Sequence, residues 1–148
     1  MTEPAGQLRL QKNVLLSEYT TIGLGGRAAF FCSCETVEQL RSCLLYAREN
    51  HVRVHIMGGG SNTIFPDGGF EGLVIRVDLR GITTSTEGNF GIVTAAAGES
   101  WDTFVSLCID DNYAGIECLS GIPGFVGAVP IQNVGAYGQE VSDSIVSV

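Results

Sequence analysis

The chain has 148 residues, 45% of them hydrophobic and 16% charged, with a formal net charge of −8. That length is enough for a buried core, and that composition excludes a disordered chain, which lacks the apolar residues to offset the entropy of folding. The acidic balance excludes the basic stripe that phosphate backbones require, and no apolar run approaches the roughly twenty residues that span a bilayer.

Nucleic acid and membrane are therefore not expected partners, and oligomeric state is left open. The opening MTEPAGQLRLQKN is polar and has no secretory hydrophobic region, so the expected location is cytoplasmic. Residues 1–16 show no strong period, and 1–14 are expected as a tail before a domain over 15–148. Gly23-Leu-Gly25-Gly-Arg-Ala28 satisfies the G-x-G-x-x-A dinucleotide pattern. That pattern needs a strand before it and a helix after it, whereas here residues 28–34 favour a strand; the glycines read as a turn.

Five cysteines stand at 32, 34, 43, 108 and 118 with no C-x-x-C pair. Cys32 and Cys34 fall on one face of the expected strand as small core side chains, and no metal site is expected. Residues 36–50 read as a helix with a Thr36–Gln39 capping box and an apolar stripe of Val37, Leu40, Leu44 and Ala47. Residues 52–57 read as a strand, so His51 and His55 need not share a helical face. Gly58, Gly59, Gly60, Ser61 and Asn62 follow at its carboxyl end. Convergent backbone N–H groups there suit a phosphate, although an ordinary tight turn fits this short motif equally well. The G-K-[ST] ending of a P-loop is missing, so nucleoside triphosphate hydrolysis is not indicated.

Residues 72–79 read as a strand, and 82–87 and 91–97 as a hairpin turning at Glu87-Gly-Asn89. Ala95-Ala-Ala-Gly98 is small for a strand end and suggests close backbone approach. Residues 100–112 read as a helix capped by Ser100, with Trp101, Phe104, Val105 and Cys108 on one face. Trp101 reads as core. Helix and strand alternate early and a strand-rich section follows, so the fold class is α+β.

Residues 120–138, SGIPGFVGAVPIQNVGAYG, hold five glycines and two prolines but no Asp, Glu, Lys or Arg. Solvated loops of this length normally carry charge, and regular elements do not carry this many breakers. The stretch reads either as a wall against a large, flat, phosphate-bearing ligand or as a tight crossover in a glycine-rich fold. Pro123 is placed to open a short helix. Residues 139–148 alternate apolar positions and read as a strand cut short, so the chain is expected to be the amino-terminal part of a longer protein.

Residues 120–138 closely resemble the second flavin-binding stretch of the UDP-N-acetylenolpyruvoylglucosamine reductase (MurB) family, which writes something like SGIPGTVGAAPIQNIGAYG. Phe125 replaces a more usual Thr, and Val129 an Ala. GGGSN at 58–62 matches that family's pyrophosphate loop, and TTIGLGGRA at 20–28 is similar to its opening NTF-x-x-GG-x-A, with Ile22 replacing an aromatic. The three motifs occur in the family's order and approximate spacing.

The resemblance implies the two-lobed FAD-binding fold of the vanillyl-alcohol oxidase / MurB type. The first lobe would cover about 15–78, and an incomplete second lobe 79–148. It implies FAD as cofactor, NADPH as hydride donor and a nucleotide-sugar substrate, UDP-N-acetylglucosamine enolpyruvate, reduced in peptidoglycan precursor synthesis. Cofactor-binding residues implied are Gly58, Gly59, Gly60, Ser61 and Asn62, then Ser120, Gly121, Ile122, Pro123, Gly124, Gly127 and Ala128, and finally Asn133, Gly135, Ala136, Tyr137 and Gly138. Asn133 and Tyr137 are the expected polar contacts. The family's catalytic Arg, Ser and Glu match no position here, so catalytic residues are expected beyond Val148 and this chain alone is expected to be inactive. The alternative is an FAD-binding module of an oxidase-like or degenerate relative without reductase activity.

Overall fold

The computed structural model describes residues 9–148, which divide into two compact units between Leu79 and Arg80. The first eight residues of the expected tail lie outside the described residues. From Gln11 the tail is instead a strand, β1 (Gln11–Leu15), because antiparallel pairing with β2 (Arg27–Cys34) supplies the partner that its aperiodic sequence does not announce.

The first unit is a four-stranded sheet in the order β1-β2-β4-β3, with β3 at Val54–Met57 and β4 at Phe70–Val77. β2 and β3 both run parallel to β4, which lies between them, and the helix α1 (Val37–Glu49) makes the crossover. Strand alternation divides the core. Leu73 and Ile75 face one side with Cys32, Cys34, Cys43 and Ala47; Val74 faces the other with Phe31, Leu16, Met57 and Phe65. Ala28 joins the Phe31 side because the β2–β4 register shifts between Ala28 and Phe30, an irregularity that changes which face a residue meets.

The cap of α1 forms as its sequence dictates: Thr36 accepts a hydrogen bond from the Gln39 N–H at 3.2 Å. The reciprocal half of the expected box is displaced by one residue, since Gln39 Oε1 accepts from the Glu35 N–H at 2.8 Å. The buried face also differs from the expected stripe. Cys43 and Ala47 are buried and Leu40 packs partly against them, whereas Val37 and Leu44 stay 59% and 41% exposed. Small side chains at 43 and 47 let the helix approach the sheet there, which turns the larger Val37 and Leu44 outward.

Of the glycines expected as a turn, Gly23 closes one, its N–H donating to Thr20 O at 3.0 Å, whereas Gly25 and Gly26 bridge to the residues after β1. Their carbonyls accept from the Ser17 and Leu16 N–H groups, and the Gly26 N–H donates to Pro66 O.

In the second unit, β5 (Ile82–Glu87) and β6 (Phe90–Ala95) form the expected hairpin, closed across Gly88 and Asn89 by the Glu87–Phe90 pair. The helix α2 (Trp101–Asp110) is capped by Ser100 and buries Trp101, Phe104, Val105 and Cys108. Around them gather Leu119, Val129, Val134 and Val141. Burying such side chains contributes about 1.5–3 kcal/mol each for the larger ones. The Trp101 indole N–H donates to the Leu119 carbonyl at 2.9 Å, a buried bond between α2 and the entry to residues 120–138.

Two expectations fail here. Pro123 opens no helix; the turn that begins with proline is Pro130–Gln132, after a first turn at Val126–Ala128. Residues 139–148 are not a strand cut short. β8 (Gln139–Glu140) pairs only with β7 (Gly135–Ala136), and a 3-10 turn, Val141–Asp143, follows at once. That turn is held by a capping box in which Asp143 accepts from the Glu140 N–H. Local capping thus outcompetes the alternating apolar pattern.

Replacing Trp101 with Phe leaves the Leu119 carbonyl buried without its donor. The expected loss is about 1–3 kcal/mol of unfolding free energy, read as a lower urea midpoint by circular dichroism. An unchanged midpoint would show that another donor reaches that carbonyl.

Candidate functional site

The first candidate segment, residues 58–62, follows β3 directly and is turn and bend rather than helix. Gly58, Gly59 and Ser61 are half-buried, Gly60 is buried and Asn62 is exposed. Gly60 carries the loop's constraint. Its φ is +72°, and a Cβ there would lie 2.0 Å from Tyr19 O. Its carbonyl accepts from the Thr21 N–H at 3.0 Å. A side chain fits neither that space nor that φ, so Gly60 seats the loop on residues 19–21. The positive-φ glycines do not include Gly58 or Gly59. In the same unit His55 lies edge-on to Phe65 and Phe70, at 4.9 and 6.0 Å between ring centroids, and burial lowers its pKa.

The second segment, residues 120–138, is anchored in the second unit's core and open elsewhere. Leu119, Val129 and Val134 are buried, whereas Ile131 is 85% and Tyr137 93% exposed. Much of its backbone is already paired. Trp101 N–H donates to Gly124 O, Val126 N–H to Glu99 O, Gly127 N–H to Ala97 O and Ala128 N–H to Phe125 O. Gly127 lies so close to Ala97 that a Cβ on it would meet the Ala97 Cβ at 2.6 Å. Within 95–98 it is the small Ala97 that receives the chain's own backbone. Arg80 reaches across this region, its guanidinium 5.3 Å from the Phe125 ring centre and 3.6 Å from Glu99.

Sequence reasoning missed Asp102. Its Oδ1 accepts from the Ser120 hydroxyl at 3.0 Å and from the Gly121 N–H at 2.6 Å. An aspartate in a helix's first turn usually serves the helix dipole, so the sequence alone gave no sign of this second task. Asn133, expected as a polar contact, adopts a left-handed conformation and holds the following strand. Its amide donates to Glu140 at 2.7 Å, and its oxygen accepts from the Ser142 N–H at 3.1 Å. Gly135 and Ala136 pair with β8, and Tyr137 and Gly138 make the turn with φ of 52° and 82°. Ile122, Pro123 and Gly124 lie between the Asp102 clamp and the Trp101–Gly124 bond.

A cavity of about 430 Å³ lies within the second unit, between β6, α2 and residues 145–148. Of the expected cofactor residues only Gly127 lines it, and its walls are mainly apolar.

The two hydrogen bonds hold Asp102 below the usual carboxylate pKa of 3.8, the Gly121 N–H contributing most. A depressed carboxylate pKa stabilises the fold above its unfolded value and loses that contribution as pH falls through the folded value. Asp102→Ala should therefore lower the urea midpoint at pH 7, and the difference from the parent should shrink below about pH 4. A difference independent of pH would assign the loss to packing.

Residues 28–148 match the family described as FAD binding domain. The chain is 46% identical over 138 residues to a UDP-N-acetylenolpyruvoylglucosamine reductase of Thermobifida fusca, covering 93% of this chain and 39% of that protein. It is 47% identical over 135 residues to the Saccharopolyspora erythraea protein of the same name, covering 90% and 37%. The crystal structure of UDP-N-acetylenolpyruvylglucosamine reductase (MurB) from Thermus caldophilus superposes with a TM-score of 0.71 at 28% identity, covering 93% of this chain and 47% of that one. The chain thus spans about two-fifths of the curated relatives' length. The family match takes in β2, the loop at 58–62 and the whole second unit, and on that match the chain belongs to the FAD binding domain family.

Proposed function

We propose that the chain is the FAD-binding part of a UDP-N-acetylenolpyruvoylglucosamine reductase. In that reaction NADPH supplies a hydride, and the enolpyruvyl group of UDP-N-acetylglucosamine enolpyruvate is reduced in cytoplasmic peptidoglycan precursor synthesis. The observation that carries the reading is the charge-free segment 120–138, pinned by buried Leu119, Val129 and Val134 while Ile131 and Tyr137 stay outside. An isolated surface loop would not expose such side chains without charge beside them.

FAD, when bound, supplies the hydride-transfer chemistry, and the protein supplies binding and orientation. The donor sets divide the work. The loop at 58–62 offers backbone N–H groups and the Ser61 hydroxyl with no charged side chain, a chemistry suited to pyrophosphate. Ser120 and Gly121 already donate to the Asp102 carboxylate, whose charge would repel a phosphate placed there. Their role is to fix the shape of Ile122, Pro123 and Gly124. The neighbouring uncharged surface, with Gly127, Ala128 and the short strand Gly135–Ala136, suits the neutral ring system, and Tyr137 presents a flat ring to it. Asn133 acts through the backbone it holds.

The test is an FAD titration followed by flavin fluorescence. Ser61→Ala should bind within about threefold of the parent, and Ser61→Asp at least about tenfold more weakly, because a second anion then faces the pyrophosphate. Equal affinities for both variants would remove the pyrophosphate from this loop. For the reaction, NADPH consumption by the longer protein should require UDP-N-acetylglucosamine enolpyruvate; consumption indifferent to that substrate would favour an FAD-binding module without reductase activity.

A further inference from the structure

Three of the five cysteines meet inside the first unit. Cys32 and Cys34 come from β2 and Cys43 from α1, and all three are buried. Their sulfurs lie within 4.8 Å of one another, with Cys34–Cys43 at 3.6 Å and Cys34–Cys32 at 3.8 Å. Sulfurs bound to one central atom at about 2.3 Å in a pyramidal or tetrahedral arrangement sit roughly 3.4–3.8 Å apart, so little movement separates these thiols from a shared ligand. We propose that Cys32, Cys34 and Cys43 form a buried trithiol site that takes a soft trivalent ion of the arsenite type.

Charge and donor number select that class. Among the described residues the cluster holds three thiols and no His or carboxylate, so it lacks the fourth ligand of a tetrahedral zinc site. Its other neighbours, Ala47, Leu73, Ile75, Leu40 and Val52, are apolar. A divalent ion on three thiolates leaves a net negative charge, costly to bury in such surroundings. Trivalent arsenic on three thiolates is neutral, and its lone pair takes the fourth position.

The step balances without redox change. Arsenous acid, As(OH)₃, exchanges three As–O bonds for three As–S bonds; the three thiol protons leave with the three hydroxides as water. Soft thiolates favour such an ion, and the attacking sulfur is the thiolate. Leu10 covers the cluster beside Arg9, so opening at residues 9–10 gives a route in.

The test uses Cys108→Ala/Cys118→Ser to remove the other two thiols, with sodium arsenite as the probe. One arsenic should bind per chain, consume three thiols and show three sulfur neighbours by X-ray absorption. It should raise Tm by several degrees at about 100 times its Kd, as a ligand of the folded state does. Cys43→Ala should bind at least about tenfold more weakly while keeping the parent's near-ultraviolet circular dichroism. A lowered Tm, fewer than three sulfurs, or unchanged affinity in Cys43→Ala would overturn the site. Zinc chloride retained more tightly than arsenite would overturn the assigned class of ligand.

Discussion

The second unit depends on one requirement: a glycine-rich backbone must have its own polar groups paired before it can hold one shape. Residues 120–138 meet it without regular secondary structure. Bonds from Trp101, Val126 and Gly127 tie the segment to α2 and to residues 97–99, and the Asp102 carboxylate takes the Ser120 and Gly121 donors. An unpaired buried peptide group costs about 1–3 kcal/mol, so several failures together would exceed the margin by which small units fold. The absence of charged side chains is possible because backbone pairing and three buried anchors hold the segment in place.

The same logic explains the order of elements. Helix α2 presents Ser100 as a cap, Trp101 and Phe104 to the core, and Asp102 outward to the loop within a single turn. One helix terminus therefore fixes both the hydrophobic base of the segment and its first corner. Gly127 is small because Ala97 lies against it, and a larger side chain at 97 would meet the same limit. A larger side chain on either partner would separate them.

In the first unit the controlling element is β4, which is buried on both faces and paired on both edges. Its position lets α1 cover one face with small side chains, and the cysteine trio results from that close approach. The loop at 58–62 emerges from the end of β3 and is seated by Gly60 on Tyr19. Its shape is thus set by contacts made outside the motif.

Local chemistry was legible in the sequence. Thr36 and Ser100 announce helix starts, Gly88-Asn89 a hairpin turn, and the 101/104/105/108 spacing a buried helical face; each depends on neighbours within a turn or two. The three glycine-rich motifs, taken together, pointed to the FAD-binding family that the comparisons show. Only tertiary structure decided the rest. Nothing near Gln11 foretells β1, whose partner lies beyond a turn; small residues packing on the sheet chose Leu40, Cys43 and Ala47 over Val37 and Leu44 as the inner face of α1. Asp102 reaches Gly121 across nineteen residues of sequence, and Cys43 meets Cys34 across an element boundary. Periodicity and capping report energies set by near neighbours, whereas these contacts exist only once the backbone has closed on itself and brought distant residues together.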